Sequence, residues 1–546
     1  MDKFINWWKA DKRYVLLLKT LLAGLFPIIG CVVYCAMQGR SIGEVYLPGS
    51  EWNDELFYYK QVEAMVEFGY PKGYFGFNES HALKLSYAAW SPVLVFPWVL
   101  WGLVFGWNML SPIICNIVLL TIAVAGFVWL VKPTWKQMGI LTLLFFLYTP
   151  FVRYMLSGMP EIICFSFLIL FYGLAISFLQ KESYGKIVWM LVFSGLLTLM
   201  RPYMLVFMLL PMAFWIRKNK WQGILGSVAV SGVVGVTYVL IKHYLGAEYL
   251  TPLFFTDWIT AFFEQGLFGG IRYFFGKLYW NGQGFVRHMN SGFWDGLASG
   301  AFFSGFVIMM LVLLAQSVAD FRKLWKVGKI KDVAEETVQG EEVAEKQKKL
   351  RDMLIIEAHL AFSFVVMLIA LLVMYKLTEG SKHLLTFMAA GVFIVSLMRT
   401  KFYKKAVLIG VVFAYFYSYM AIDPYDYQVP FVEESRQAQV QEWEEVFAEK
   451  LTLVEENIPN YDNAIIWVFS DMVDGQSVTN KWQLYYGLPN GFGISCCMRD
   501  YIIANFDSLQ NRYIGTVSGG EIDQMCQNAG YEELGRDADL VVYQRY

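Results

Sequence analysis

Long apolar runs alternate with short basic stretches along most of this chain. The runs cover residues 14–37, 111–131, 138–153, 161–180, 187–200, 203–216, 223–245, 300–318, 353–375, 384–398 and 406–421. A bilayer's hydrocarbon core, roughly 30 Å thick, is crossed by about 20 apolar residues in a helix, so the pattern predicts about eleven transmembrane helices. No small-residue cleavage site follows the first run, which therefore reads as an uncleaved helix and not as a signal peptide. Lys9, Lys12 and Arg13 precede it. Alternate loops then carry Lys132 and Lys136, Lys181 and Lys186, Arg217, Lys218 and Lys220, the basic stretch 322–331, and the stretch 399–405. Cytoplasmic loops are enriched in Lys and Arg, so the N-terminus is expected inside. The count holds only if the aromatic stretch 90–107, broken by Pro92 and Pro97, lies in the outer interface without crossing.

This topology leaves three long regions outside: 38–110, 246–299 and a tail from 422. The charged loop 319–352 stays inside and reads as a solvated helical linker. In the tail, Val440, Trp443, Val446, Phe447 and Leu451 recur at helical spacing, while 464–469 and 540–543 read as buried strands. The expected fold class is an all-α polytopic membrane domain, 1–421, with interfacial helices in its first external loop. A small extracytoplasmic α/β domain, 422–546, follows it.

Composition agrees with a membrane protein, since 57% of the 546 residues are apolar and 18% aromatic. The net charge of -2 conceals a split. Residues 1–421 carry 37 basic and 25 acidic side chains, whereas the tail carries 7 basic and 21 acidic ones. An acidic tail excludes nucleic acid as its partner. Four of the seven cysteines, Cys31, Cys35, Cys115 and Cys164, sit in apolar runs and behave as small hydrophobes. Cys496, Cys497 and Cys526 lie in polar sequence, where an external location would permit Cys526 to bridge either of the other two. Five scattered histidines form no metal-ligand spacing.

The chemistry points to Asp54 and Glu55, adjacent acids just beyond the first span. A carboxylate at a membrane surface can be a general base, a metal ligand or one end of an ion pair. It can also cap a helix, here one beginning near Leu56. Further along come Phe68-Gly69-Tyr70-Pro71, Trp90-Ser91-Pro92, Leu103-Val104-Phe105-Gly106, the turn from Arg153 to Glu161, and Arg201-Pro202-Tyr203. With Glu379-Gly380-Ser381-Lys382-His383-Leu384, this series resembles the C-type integral membrane glycosyltransferases, in particular bacterial relatives of protein O-mannosyltransferases and aminoarabinose transferases. The resemblance covers roughly residues 1–420 and excludes the tail, and no single motif in it is diagnostic.

The resemblance implies that Asp54 acts on the acceptor as general base, with Glu55 second and Glu161 orienting the acceptor. A hydroxyl is a poor nucleophile at neutral pH and must lose its proton as it attacks the anomeric carbon. Nucleotide sugars are cytoplasmic and this site faces outside, so the donor is expected to be a sugar on a polyprenyl phosphate. No phosphate-binding glycine loop is present. The departing phosphate needs cations, and the external candidates are Arg201, Arg272, Arg287, His288, Lys376, Lys382 and His383. Lys382 and His383 fit the family's basic-aromatic pair before a late span, although His stands where Tyr is usual. Tyr485 and Tyr486 could stack on acceptor sugar rings, with ordinary packing as the plainer reading. Glu357 and His359 are expected to form a local ion pair with Arg351. No cofactor is expected; some members of the superfamily use a carboxylate-bound divalent ion, which leaves that metal open.

The resulting expectation is a glycosyltransferase of a bacterial-type inner membrane, with a glycan, lipid or protein acceptor outside. A transporter or flippase of lipid-linked sugars is the alternative, although it would usually keep its polar groups at the midplane and its loops short. A non-catalytic envelope scaffold is a third reading, and would leave Asp54 dispensable.

Overall fold

The computed structural model describes residues 12–45, 53–69, 75–77, 91–146, 149–245, 255–294, 298–334, 339–375, 381–397, 465–468, 470–479 and 494–545. Its membrane part is a bundle of apolar helices. Six described helices are long and apolar enough to cross a membrane, within α1 (Lys12–Met37), α4 (Ser111–Val131), α7 (Glu161–Gln180), α10 (Lys220–Leu245), α13 (Ala298–Ala334) and α14 (Gln339–Met374). Shorter apolar helices are α3 (Phe96–Phe105), α8 (Tyr184–Met200) and α15 (Ser381–Leu397). The chain is an integral membrane protein with a small C-terminal sheet. The run expected at 406–421 and the tail helix around 440–451 lie outside the described residues.

Prolines set several helix ends. The run 138–153, expected as one span, is two helices: α5 (Trp135–Phe145) and α6 (Thr149–Met155). Pro150 sits in the first turn of α6, where its missing N–H costs nothing. Extended back into α5, the same ring would meet a carbonyl one turn earlier. Pro202 likewise ends α8 at Met200, and the chain continues as a 3₁₀ turn, Pro202–Met208, into α9 (Leu209–Lys218). The stretch 90–107 contains α3, only ten residues long. At about 1.5 Å per residue it is too short to cross. The charged loop 319–352 is helical on both sides, as extensions of α13 and α14.

Helices α4 and α7 cross closely at the centre of the bundle. A methyl group on Gly126 would lie 2.7 Å from Leu170, and one on Gly173 would lie 3.3 Å from Phe127. A glycine opposite a larger side chain lets two membrane helices approach and gain packing where no hydrophobic drive exists between them. Deeper in the bundle, His359 does not pair with Arg351 as expected. Its Nδ1 meets the Tyr172 hydroxyl at 3.1 Å and its Nε2 the Val206 carbonyl at 3.2 Å. An interior histidine finds neutral partners where a charged pair would cost desolvation.

The tail builds a six-stranded mixed sheet ordered β1-β5-β2-β6-β8-β7. Its strands are β1 (Phe75–Phe77), β2 (Ile465–Val468), β5 (Ile494–Cys497), β6 (Tyr513–Val517), β7 (Glu532–Arg536) and β8 (Leu540–Gln544). The strands expected at 464–469 and 540–543 are β2 and β8. A separate hairpin, β3 (Ser470–Val473) and β4 (Gln476–Thr479), turns at Asp474-Gly475, both with positive φ as such a two-residue turn requires. Strand β1 comes from the first loop and pairs in parallel with β5, Gly76 opposite Ser495. The first loop and the tail therefore share one sheet, and lie at the same end of the bundle.

Cys526 is a free thiol packed with Cys497 in the tail core, so the bridge that an external location would permit is not made. Asp523, buried on α16 (Glu521–Asn528), accepts from the Gly519 amide, Arg536, Gln527 and Tyr543. Burial alone would raise its pKa. The hydrogen bonds from Arg536, Tyr543, Gly519 and Gln527 outweigh burial and hold it at about 2. A depressed carboxylate stabilises the fold above its unfolded pKa and loses that contribution as pH falls through the folded value. The tail is therefore expected to lose on the order of 2 kcal/mol between about pH 4 and pH 2. Asp523→Asn should remove that dependence in hydrogen-exchange measurements; an unchanged pH profile would contradict the assignment.

Candidate active site

The site is built at one end of the bundle from α2 (Asn53–Phe68), the turn 156–160, and the ends of α7, α8, α14 and α15. Asp54 is the second residue of α2 and Lys382 the second of α15. Glu55 is 1% exposed and so not solvated. Its Oε1 accepts the Gly158 amide at 2.9 Å and stands 4.0 Å from Arg153. An acid on α2 thus pins the turn that leads into α7.

Three further groups hold that turn. Arg153 donates to the Leu156 carbonyl at 3.3 Å. Ser157 donates its hydroxyl to the Tyr154 carbonyl at 2.8 Å. Asn116, fully buried on α4, donates its amide to the carbonyls of Ser157 and Met159 at 3.2 and 3.3 Å and accepts from the Trp98 indole at 3.0 Å. The Trp98 bond fixes which way the amide faces. Asn116→Ala would leave an indole N–H and two carbonyls without their partner in the interior, where each such group costs about 1–3 kcal/mol. A clear fall in the thermal midpoint in detergent is expected; an unchanged midpoint would remove Asn116 from the account.

Beyond the turn lies a buried charge cluster. Glu161 opens α7, and its Oε1 accepts from Arg201 Nη2 at 2.5 Å, both side chains being fully buried. Arg201 Nη1 also donates to His383 Nδ1 at 2.6 Å and to the Tyr203 hydroxyl at 3.2 Å. A guanidinium can only donate, so His383 Nδ1 must accept and the ring is neutral. Its proton then sits on Nε2, 3.1 Å from the Tyr375 hydroxyl. Tyr58, one turn after Asp54 on α2, lies within electrostatic reach of Arg201. The second oxygen of Glu161, Oε2, is buried with no hydrogen-bond partner among the described residues.

Two of the residues expected at the donor phosphate, Arg201 and His383, sit in this cluster, where Glu161 pairs with Arg201 and His383 Nδ1 accepts from it. Arg272 is exposed on the helix α12 (Gly266–Trp294), outside the buried cluster. Tyr485 and Tyr486 lie outside the described residues. Among the described residues, no three His, Cys, Asp or Glu side chains gather as a metal site. Glu55, Glu161, Arg201 and His383 are brought into one region, and the backbones of Asp54 and Lys382 border it. Asn116 and Trp98 were not foreseen, although an Asn inside an otherwise apolar span is a recognisable signal.

No family model and no curated protein matches the sequence. Two solved structures show a likeness. One is the Archaeoglobus fulgidus oligosaccharyltransferase in its apo form, 12% identical, with 94% of this chain and 70% of that chain covered and a TM-score of 0.47. The other is ArnT from Cupriavidus metallidurans bound to undecaprenyl phosphate, also 12% identical, with 98% of each chain covered and a TM-score of 0.35. At 12% identity and TM-scores this low, the likenesses carry no argument about what this chain does.

Proposed function

We propose that this chain is a membrane glycosyltransferase that moves a sugar from a polyprenyl-phosphate donor to a glycan, lipid or protein acceptor. The reaction takes place on the extracytoplasmic face of a bacterial-type inner membrane. The observation that carries the reading is the Oε2 of Glu161, which has no hydrogen-bond partner among the described residues and is held in a buried cluster beside the helix that carries Asp54. A buried carboxylate oxygen without a donor costs free energy unless a ligand supplies one. An acceptor hydroxyl has that chemistry, and from there it would be oriented toward Asp54.

In the proposed step the acceptor oxygen attacks the anomeric carbon while the Asp54 carboxylate takes its proton. The bond from that carbon to the phosphate oxygen breaks, and the polyprenyl phosphate leaves with the electron pair, inverting the centre. Lys382 is the proposed cation for the departing phosphate. Glu55 acts as a positioning residue through Gly158, and Arg201 and His383 hold Glu161 in place. The tail, joined to the first loop through β1 and β5, is the proposed acceptor-binding element, with Tyr485 and Tyr486 as its candidate contacts.

The test is transfer in proteoliposomes from a panel of radiolabelled polyprenyl-phosphate sugars to extracted envelope glycans, lipids and proteins. Label leaving the lipid for an acceptor supports the reading. Lipid-linked sugar crossing the bilayer unchanged would favour the flippase instead.

A further inference from the structure

The chain between α10 and α13 forms a hairpin of α11 (Asp257–Glu264) and α12, tied together by Asp257 bonds to Lys277 at 2.5 Å and to Tyr273 at 2.6 Å. One face of α12 packs inward. Asn281 donates to the Leu372 carbonyl of α14 at 2.5 Å, and Phe285 meets Phe303 of α13 at 4.7 Å between ring centroids. A second apolar face is left uncovered among the described residues. Phe268 is 85% exposed, and Phe275, Tyr279 and Val286 are exposed as well. At 3.6 residues per turn these four fall within about 20° of one line, roughly 100° around the helix from the packing face.

We infer that this second face is an interaction surface for lipid, and that α12 lies in the membrane interface at the end of the bundle where the candidate site opens. Three observations choose lipid over another protein. Helix α12 packs directly on α13 and α14, both membrane-crossing, whose outward faces expose Leu311, Val318, Phe362 and Ile369. The stripe therefore continues a surface already given to the bilayer. Helix α12 contains no acidic residue and, besides Lys277, which pairs with Asp257, carries Arg272 and Arg287, the composition of a helix held to phosphate headgroups. Exposed Arg272 stands about 40° from the stripe, on the flank away from the packing face, where a long basic side chain can reach headgroups while the rings sit lower.

Taking aromatic rings out of water is favourable, so a stripe of this size is held to lipid and not merely tolerated there. The hairpin also connects to the site. The Phe255 amide donates to the Met374 carbonyl at 2.9 Å, and the next residue, Tyr375, faces His383. The surface stands whether or not the chain transfers sugars, because it needs only an integral membrane protein.

The experiment places an environment-sensitive fluorophore on Phe268→Cys and Phe275→Cys in proteoliposomes containing anionic lipid. The comparison is Asp500→Cys on the tail, whose side chain is 93% exposed. The wild-type chain, whose described cysteines are buried, gives the background. Nitroxide-bearing lipids are expected to quench positions 268 and 275 severalfold more strongly than position 500, and aqueous iodide should show the reverse order. Iodide quenching at 268 and 275 equal to that at 500 would mean that the stripe faces water. Protection from both quenchers would mean that a protein, such as a second copy, covers it. Either result overturns the inference.

Discussion

Asp54→Asn is expected to lower the turnover number of sugar transfer by about 10²–10⁴-fold, the usual contribution of a positioned general base. Folding and donor binding should be unaffected. The amide keeps the shape of the side chain but has no lone pair basic enough to take the acceptor proton. Asp54→Glu should recover part of the rate, since it restores the base at a shifted distance. The neighbouring acid supplies the contrast. Glu55 accepts a backbone amide at 2.9 Å and faces Arg153, so Glu55→Gln keeps an acceptor oxygen for Gly158 and loses only its charge. Its expected effect is a modest fall in thermal midpoint with a small change in rate. Equal losses in both variants, each still folded, would mean that neither side chain alone is the base.

Glu161→Ala is expected to destabilise the membrane domain by about 3–5 kcal/mol, because it strands the fully buried Arg201 without its counter-charge. The thermal midpoint in detergent should drop sharply. Arg201→Met should be comparably damaging, since it strands the carboxylate instead. Exchanging a whole buried pair for apolar residues of similar volume is often neutral. The double variant Glu161→Leu with Arg201→Met should therefore regain much of the stability and remain inactive. That outcome separates holding the fold from handling the substrate. A single variant with the wild-type midpoint would show that the pair contributes little, and a fully active double variant would exclude Glu161 from the acceptor site.

Parts of this architecture could be read directly from residue order. Charge-poor runs marked α1, α4, α7 and α10, and paired prolines marked 90–107 as a segment too broken to cross. What residue order concealed was pairing across long separations. Arg201 and His383 are 182 residues apart, and Glu55 and Gly158 are 103 apart. Periodicity reports which face of a helix is apolar and is silent on which polar group it will meet. For the same reason the engagement of Arg201 with Glu161 and His383 was not legible in the sequence.

Strand β1 escaped because Phe75-Gly76-Phe77 is short and contains glycine, so local propensity favours a loop. Its strand state comes from pairing with β5 more than 400 residues away. The division of 138–153 was visible in Pro150, yet the run's mean hydropathy concealed it. In α12, by contrast, the spacing of Phe268, Phe275, Tyr279 and Val286 already describes a stripe. Only the structure shows that the packing face is a different one.

The function proposed for this chain turns on transfer of a lipid-linked sugar at the face that carries Asp54. The most direct measurement follows radiolabel from a polyprenyl-phosphate sugar to an acceptor in sealed proteoliposomes, comparing wild type with Asp54→Asn at matched amounts of folded protein. The wild type is expected to label the acceptor, Asp54→Asn to lose nearly all labelling, and both to bind the donor equally. Equal labelling by the two proteins would contradict the role of Asp54. A wild type that moves the labelled lipid across the bilayer without ever cleaving it would contradict the transferase reading as a whole.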